Sequence, residues 1–305
     1  MAAEDLITGK DIAEAVLEDA GEIPDILNGD YVSDVRRYVR EAYWDVLGRY
    51  RWNWAMSPYP GVLTTTAALS VTVASISGTT LTLSTDISGG TGIFPATEGR
   101  KFYLDGSSAV YYILEQLSYY AFRLDGTYVE SVTSGAGTIF KDIYEVDSTV
   151  LKIWDGFRVR GEWRRDVPII DKEQLEADYG IGVAAGPSPF EKSCEMPRSE
   201  DGVKRYRFAP WSEERFSLEY DYTKFHNLDF SGNPATDTPK IPQEFRSVLV
   251  DLALYKAFSN KEDSRAVDSR QLAENTISEM VTRFITPERA SMYVAPRNSL
   301  SLGCN

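Results

Sequence analysis

The segment from Val62 to Phe140 limits the possible folds more than any other part of the sequence. It consists of short runs that alternate apolar and polar residues, and turn residues such as Gly78, Gly106 and Gly126 separate them. Alternation with period two is typical of strands with one buried face, and frequent turns favour antiparallel pairing. The sequence therefore predicts a small antiparallel β-barrel or sandwich over residues 61–143.

Low-complexity disorder is the alternative interpretation of this segment. Ser, Thr and Gly make up more than half of the residues from Val62 to Gly99. Disordered segments are poor in aromatic and β-branched residues, whereas this segment is rich in them. A folded β structure is therefore the better interpretation.

Amphipathic helices are predicted on both sides of this segment. Thr8 and Asp11 have the spacing of a capping box at the start of a first, short helix. Ile241 and Pro242 open a later helix that is apolar on most sides, and the last helix ends before Pro287. The second helix is the clearest, because its apolar residues recur at spacings of three and four: Val35, Tyr38, Val39, Ala42, Tyr43, Val46, Leu47 and Tyr50.

From these elements we expect an α+β fold. The N- and C-terminal helices would form one helical bundle, with an inserted small antiparallel β-barrel or sandwich and a second β-rich region. We call the predicted helical bundle the trunk. The predicted divisions are the N-terminal helices of the trunk (1–60), the inserted β domain (61–143), the second β-rich region with a long loop (144–240), the C-terminal helices of the trunk (241–286) and an extended C-terminal arm (287–305).

Two tryptophans, Trp52 and Trp54, stand between the second helix and the β segment. Pro58 and Pro60 follow them and prevent the helix from continuing. One interpretation is that the two indoles pack on both parts and fix the angle between them. The alternative is simple closure of a hydrophobic core at the end of a helix.

The net charge of −14, from 46 acidic and 32 basic residues, excludes a broad phosphate-binding surface. It fits a soluble protein, and also a protein that surrounds DNA and repels it. No stretch approaches the roughly 18 apolar residues of a membrane helix, and the acidic N-terminus does not resemble a signal peptide. Cys194 and Cys304 are too far apart in sequence to suggest a disulfide framework, which indicates a reducing cytoplasm.

Few residues have a pattern suited to catalysis or metal binding. His226 is the only histidine, so no histidine-based metal site or triad can form within one chain. The glycines from Gly180 to Gly186 lack the strand and helix of a dinucleotide site. Nothing distinguishes a carboxylate pair such as Glu162 and Glu219 for glycoside hydrolysis. We expect no enzymatic activity, no catalytic or cofactor-binding residues, no cofactor and no metal.

A series of short motifs follows in order between residues 8 and 285. They are Arg51-Trp-Asn-Trp54, Ser77-Gly-Thr-Thr-Leu-Thr-Leu83, Tyr144-Glu-Val-Asp147, Glu162-Trp-Arg-Arg165, Arg207-Phe-Ala-Pro-Trp211, Leu218-Glu-Tyr-Asp-Tyr222 and Lys240-Ile-Pro-Gln-Glu-Phe245. Their order resembles that of the head-to-tail adaptor proteins of tailed bacteriophages, which are also called connector or neck proteins.

This resemblance implies a structural virion protein that forms a dodecameric ring between the portal and the tail and extends the DNA channel. The implied partners are the portal protein, a tail or nozzle protein and other copies of the chain. Duplex DNA would pass through without specific binding, and no membrane would be involved. The implied location is the head–tail neck of the virion, after assembly in the host cytoplasm.

The sequence offers candidates for these contacts. The acidic residues Glu262 and Asp263, between the last two helices, are candidates for lining the channel. The candidates for partner or oligomer contacts are Trp52, Trp54, Tyr293, Leu300 and Leu302, the last three being apolar residues of the C-terminal arm. The alternatives are a tail-tube or baseplate component, a carbohydrate-binding tail protein and a hydrolase with an unrecognised site.

Overall fold

The structure, a computed structural model, describes residues 6–21, 30–87, 99–107, 109–128, 132, 134–160, 165–180 and 190–285. The chain divides into two units. The first unit is Met1–Met56 together with Thr223–Asn305, and the second is Ser57–Tyr222. The first unit is therefore discontinuous in sequence, whereas the second is a single continuous segment.

The described part of the first unit is helical. Helix α4 packs against α1, α2 and α5, and its buried side chains occupy most of its circumference. None of the described helices combines the length and the hydrophobicity needed to cross a membrane. The helices are α1 (Gly9–Asp19), α2 (Asp30–Arg49), α4 (Ser247–Asn260) and α5 (Arg265–Phe284), and a short 3-10 helix (Gln243–Phe245) precedes α4.

The N-terminus of α1 is held by a buried carboxylate far away in sequence. Asp237 is fully buried, and its two carboxylate oxygens accept hydrogen bonds from the backbone N–H groups of Lys10 (3.0 Å), Phe230 (2.9 Å) and Gly232 (3.2 Å). Its backbone carbonyl accepts a fourth bond from Gly9 at 2.8 Å. A negative charge at a helix N-terminus satisfies unpaired N–H groups and the helix dipole together. Asp237 therefore joins the loop before α4 to α1.

Replacing Leu249 with alanine is expected to lower the free energy of unfolding by about 3 kcal/mol. Leu249 is fully buried in the first turn of α4, so the shorter side chain leaves a cavity among the helices that surround it. Chemical denaturation followed by circular dichroism measures the change. Leu272→Ala on α5 is the control, because Leu272 is 57% exposed. Equal losses in the two variants would contradict the burial of this face.

Asp251 makes the stability of the first unit depend on pH. Burial within α4, and then the negative charge of Asp19 at the end of α1, raise the pKa of its carboxyl to about 6. The folded protein therefore holds this proton more tightly than the unfolded chain does. As a result, the contribution of this group to stability is greatest below about pH 4, near the ordinary pKa of an aspartate, and falls as the pH rises to about 6.

Asp251→Asn is accordingly expected to stabilise the protein at pH 7 by about 1–2 kcal/mol. This is less than the full pKa difference implies, because water reaches this half-buried carboxyl and screens its charge. The gain should disappear by about pH 4, where the aspartate is already neutral. Denaturation curves from pH 4 to pH 7 test this. Glu279→Gln, at an exposed position of α5, controls for the general effect of removing one negative charge. A gain independent of pH would contradict the assignment.

The second unit contains a closed, six-stranded antiparallel barrel. Its interior is filled by apolar side chains such as Val73, Leu81, Phe102, Phe122 and Ile139, all of them buried. The strands are β2 (Leu69–Ser77), β3 (Thr80–Leu83), β4 (Arg100–Leu104), β5 (Val110–Gln116), β6 (Ala121–Leu124) and β7 (Gly135–Lys141). They pair around the barrel in the order β2-β3-β6-β5-β4-β7.

The rest of the second unit forms two small sheets around an aromatic core. Phe157 lies at the centre of this core, in edge contact with Tyr206, Phe208 and Tyr220. One sheet has the order β1-β13-β9-β10 and the other β11-β12-β8. The elements are β1 (Gly61–Thr64), β8 (Ile143–Glu145), β9 (Val150–Val159), β10 (Asp166–Val167), α3 (Lys172–Tyr179), β11 (Lys192–Met196), β12 (Arg205–Ala209) and β13 (Ser217–Lys224).

A buried charged cluster joins the barrel to the second of these sheets. Oδ2 of Asp142, just after β7, accepts bonds from Lys101 Nζ on β4 (2.7 Å) and Arg207 Nε on β12 (3.0 Å). All three residues are at most 7% exposed. The other oxygen, Oδ1, is buried and has no hydrogen-bond partner among the described residues. One carboxylate thus compensates two buried cations.

The expected fold class, a bundle of N- and C-terminal helices with β insertions, is wrong. The chain is β-rich, with thirteen strands beside five α-helices in the described residues, and six of the strands close a barrel. The physical reason is that residues 57–222 have hydrophobic cores of their own. The β strands are therefore a unit in their own right and not excursions from a helical trunk.

Candidate functional site

The barrel exposes a row of large apolar side chains along one hairpin. These residues are Tyr112 (40% exposed), Leu114 (54%), Leu117 (50%), Tyr119 (56%) and Tyr120 (45%). They lie on β5 and on the turn that joins it to β6. We call these five side chains the hairpin surface.

The pairing of β5 with β6 determines which side chains face outward. Ile113 on β5 points into the barrel and is buried, so its neighbours Tyr112 and Leu114 point to the other side. An irregularity in register follows between Ile113 and Glu115. The turn is closed by the N–H groups of Leu117 and Ser118, which both bond to the carbonyl of Ala121.

The charges around the hairpin surface nearly cancel. Arg123 Nη1 lies 3.2 Å from Glu115 Oε1, and both side chains are about half exposed. Asp125 accepts a hydrogen bond from the backbone N–H of Tyr112 at 2.9 Å. The buried Lys101 Nζ lies 4.9 Å from the centre of the Tyr112 ring, a cation–π contact that supports the ring from the protein side.

The hairpin surface is suited to binding another macromolecule. Soluble monomers rarely expose contiguous apolar patches of more than a few hundred Å², and larger ones mark interaction sites. Tyrosine is favoured at such sites because its ring is rigid and apolar while its hydroxyl tolerates water. These side chains provide contact area and no evident catalytic group.

The hairpin surface is not among the contact residues predicted from the sequence, although β5 carries a signal for it. A strand with one face in water should carry polar residues at every second position. In β5, however, Tyr111 and Ile113 occupy one set of alternate positions, and Val110, Tyr112 and Leu114 occupy the other. An apolar strand with no polar face indicates that both of its sides are covered, either by the fold or by a partner.

Trp52 and Trp54 lie in the turn that follows α2. Trp52 is fully buried, and its indole N–H donates to the carbonyl of Val46 at 2.6 Å. The ring of Trp54 stacks on that of Trp52 with centroids 5.6 Å apart, and Tyr50 contacts Trp52 edge-on. Both tryptophans therefore contribute to the packing of the first unit. Their role in a partner interface stays a prediction.

Glu262 and Asp263 lie between α4 and α5. Glu262 is exposed and has a positive φ of 55°, which belongs to the tight turn at this point. Asp263 Oδ2 accepts a hydrogen bond from Arg265 Nη2 at 2.7 Å, and this guanidinium holds the pKa of the carboxyl below its usual range. Their predicted position along a channel is a property of an assembly and stays a prediction.

The remaining predicted contact residues, Tyr293, Leu300 and Leu302, lie outside the described residues, as does the rest of the predicted arm. The first three residues of the motif Glu162-Trp-Arg-Arg165 also lie outside them, and Arg165 is described.

His226 and Cys194 occupy packed positions. His226 Nδ1 lies 3.3 Å from the hydroxyl of Tyr43, and burial lowers the pKa of the imidazole. Burial raises the pKa of the Cys194 thiol. Within the described ranges, His, Cys, Asp and Glu side chains form no group of three or more that could hold a metal ion.

No model of a known protein family matches the chain, and no curated protein matches it either.

Proposed function

We propose that this chain is a structural subunit of a tailed bacteriophage virion, a head-to-tail adaptor that acts between the portal and the tail. The observation that carries the proposal is the hairpin surface, whose five large apolar side chains are exposed on a folded barrel. Such a surface is expected of a subunit that is completed by contacts with other proteins. The order of motifs along the sequence supports the same assignment.

The proposed partners follow from this position in the virion. They are the portal protein, a tail or nozzle protein, and further copies of the chain in a dodecameric ring. The proposed role is non-enzymatic and needs no cofactor, because binding and positioning of other proteins suffices. Assembly would take place in the host cytoplasm, and the mature location would be the neck of the virion.

The acidic character of the chain suits contact with passing DNA. The net charge is −14, and like charges repel phosphates over separations near the Debye length, about 8 Å at physiological salt. A channel wall that repels DNA allows sliding, whereas a basic wall would retain the DNA. Glu262 and Asp263 are the proposed lining residues.

Electron microscopy of the purified protein tests the proposal. We expect rings with an open centre, together with negligible binding to duplex DNA at physiological salt. Rings without a central opening, or tight duplex binding, would contradict an adaptor through which DNA passes. Regular tubes would instead indicate the tail-tube alternative.

A carbohydrate-binding tail protein is the second candidate, favoured by the three exposed tyrosines of the hairpin surface, Tyr112, Tyr119 and Tyr120. Aromatic side chains with a polar end are suited to partly apolar, hydroxyl-rich ligands. A panel of immobilised bacterial polysaccharides distinguishes the two candidates. Monomers that bind a glycan, with binding lost in Tyr119→Ala, would replace the adaptor proposal with this one.

A further inference from the structure

We infer that the hairpin surface binds the hairpin surface of a second copy of this chain, with Glu115 and Arg123 forming ion pairs between copies. The inference goes beyond the proposed function, because a surface that binds its own copy relates two chains by a two-fold axis and does not by itself link the successive subunits of a ring. It names the surface, the partner and the charged residues of that contact.

The exposed area is sufficient for a contact between two copies. Tyrosine and leucine side chains that expose about half of their surface each contribute roughly 100 Å², so the five provide on the order of 500 Å² per copy. Two such surfaces together bury on the order of 1,000 Å², which is the lower limit for a specific interface. Residues at the margin add to this area.

The charges of the surface favour a second copy over another partner. A chain of net charge −14 repels other copies of itself, so contact between copies is favoured where the local charge is close to zero. At the hairpin surface Glu115 and Arg123 lie 3.2 Å apart and are both about half exposed. Because one acid and one base stand side by side, Glu115 of one copy can pair with Arg123 of another, and the surface is complementary to itself.

The contact must be made by side chains and not by strand addition. In the closed barrel β5 pairs with β4 and β6, and β6 pairs with β3 and β5. Both strands of the hairpin therefore have a neighbouring strand on each side, and the closed barrel offers no free edge strand for another copy to join. Substitution of exposed side chains should remove the contact and leave the barrel intact.

Self-association of the full-length chain, measured by sedimentation velocity over a range of concentrations, is the first test. Leu114→Glu should weaken self-association by about 30-fold or more, as expected for a central apolar contact. Leu272→Glu on α5 is the matched control, since Leu272 is 57% exposed and Leu114 is 54% exposed. The control should associate like the wild type. Circular dichroism establishes that each variant is folded, and Tyr119→Ser in the turn replaces Leu114→Glu if that variant does not fold.

Charge exchange is the second test. Glu115→Arg alone places two guanidinium groups on the surface, and Arg123→Glu alone places two carboxylates there, so each single variant should associate less than the wild type. An equimolar mixture of the two should associate again, because opposite charges then meet between copies. The double variant Glu115→Arg/Arg123→Glu should associate like the wild type.

Three results would overturn the inference: a wild type that stays monomeric at all concentrations, equal weakening by Leu114→Glu and Leu272→Glu, or single charge variants whose mixture does not associate. The proposed function can be contradicted independently of this inference. Rings whose wild-type and Leu114→Glu forms associate with each other to the same extent would leave the adaptor proposal intact and remove only this surface. Closed dimers that Leu114→Glu dissociates would support the surface and contradict the ring.

Discussion

Asp142→Ala is expected to lower the free energy of unfolding by about 4 kcal/mol, because removal of one partner of a buried ion pair leaves an uncompensated charge. Here two cations lose their counter-ion, since Lys101 and Arg207 both bond to the same carboxylate oxygen. Chemical denaturation measures the loss. The fluorescence of Trp211 is a local probe, because its ring is buried and stacks on Phe140 near this cluster.

Two further variants separate the loss of charge from the loss of packing. Asp166→Ala, at an exposed position of β10, should leave stability nearly unchanged. The double variant Asp142→Ala/Lys101→Met should be more stable than Asp142→Ala alone, because one of the two uncompensated cations has been removed. If the double variant loses as much stability as the sum of its single changes, the cluster is not electrostatically coupled.

Asp237→Ala is expected to lower the free energy of unfolding by a similar amount, about 4 kcal/mol. The fully buried carboxylate accepts three backbone N–H bonds, and each donor left without a partner in a buried site costs about 1–3 kcal/mol. Asp237→Asn should lose less stability than Asp237→Ala, because its amide oxygen still accepts hydrogen bonds. It should still lose some stability, because its NH2 group cannot accept a bond from the N–H donors that it faces.

Denaturation followed by the helical circular dichroism signal measures this effect. Asp229→Ala is the control, since Asp229 lies in the same loop but is exposed and bonds only locally, to Ser231 and Thr236. A loss of less than about 1 kcal/mol for Asp237→Ala would mean that water replaces the carboxylate at the start of α1.

Local elements of this fold are readable from the sequence because their signals are local. The capping box at Thr8 and Asp11 forms as its three-residue spacing predicts, with the Thr8 hydroxyl 3.2 Å from the Asp11 N–H. The hairpin of β2 and β3 turns at Gly78, which has a positive φ of 57°, as the alternation on either side of it predicts. Both depend on residues that are close in sequence.

The contacts that organise the units are not readable in this way. Lys101 appears in an ordinary alternating strand, and its burial depends on Asp142, 41 residues later, and on Arg207. Asp237 and Lys10 are 227 residues apart. The same limitation explains the wrong fold class, because the helical periodicity of the terminal segments does not reveal that residues 57–222 have cores of their own.

The candidate site was missed for a different physical reason. The contact residues predicted from the sequence are the bulkiest aromatic residues, Trp52 and Trp54, and three residues of the C-terminal arm. Size alone does not separate a core residue such as Trp52, which is fully buried, from a contact residue such as Tyr119, which is 56% exposed. The apolar residues at both sets of alternate positions in β5 are the more informative signal.

The discontinuity of the first unit has a consequence for how the protein is made. A ribosome completes residues 57–222 as one continuous segment, so the barrel and its adjoining sheets can fold while synthesis proceeds. The first two helices cannot complete their unit until α4 and α5 emerge, on the order of ten seconds or more later at typical rates of synthesis. During that interval the apolar stripe of α2 has no partner from the end of the chain and is exposed to chaperones and to aggregation.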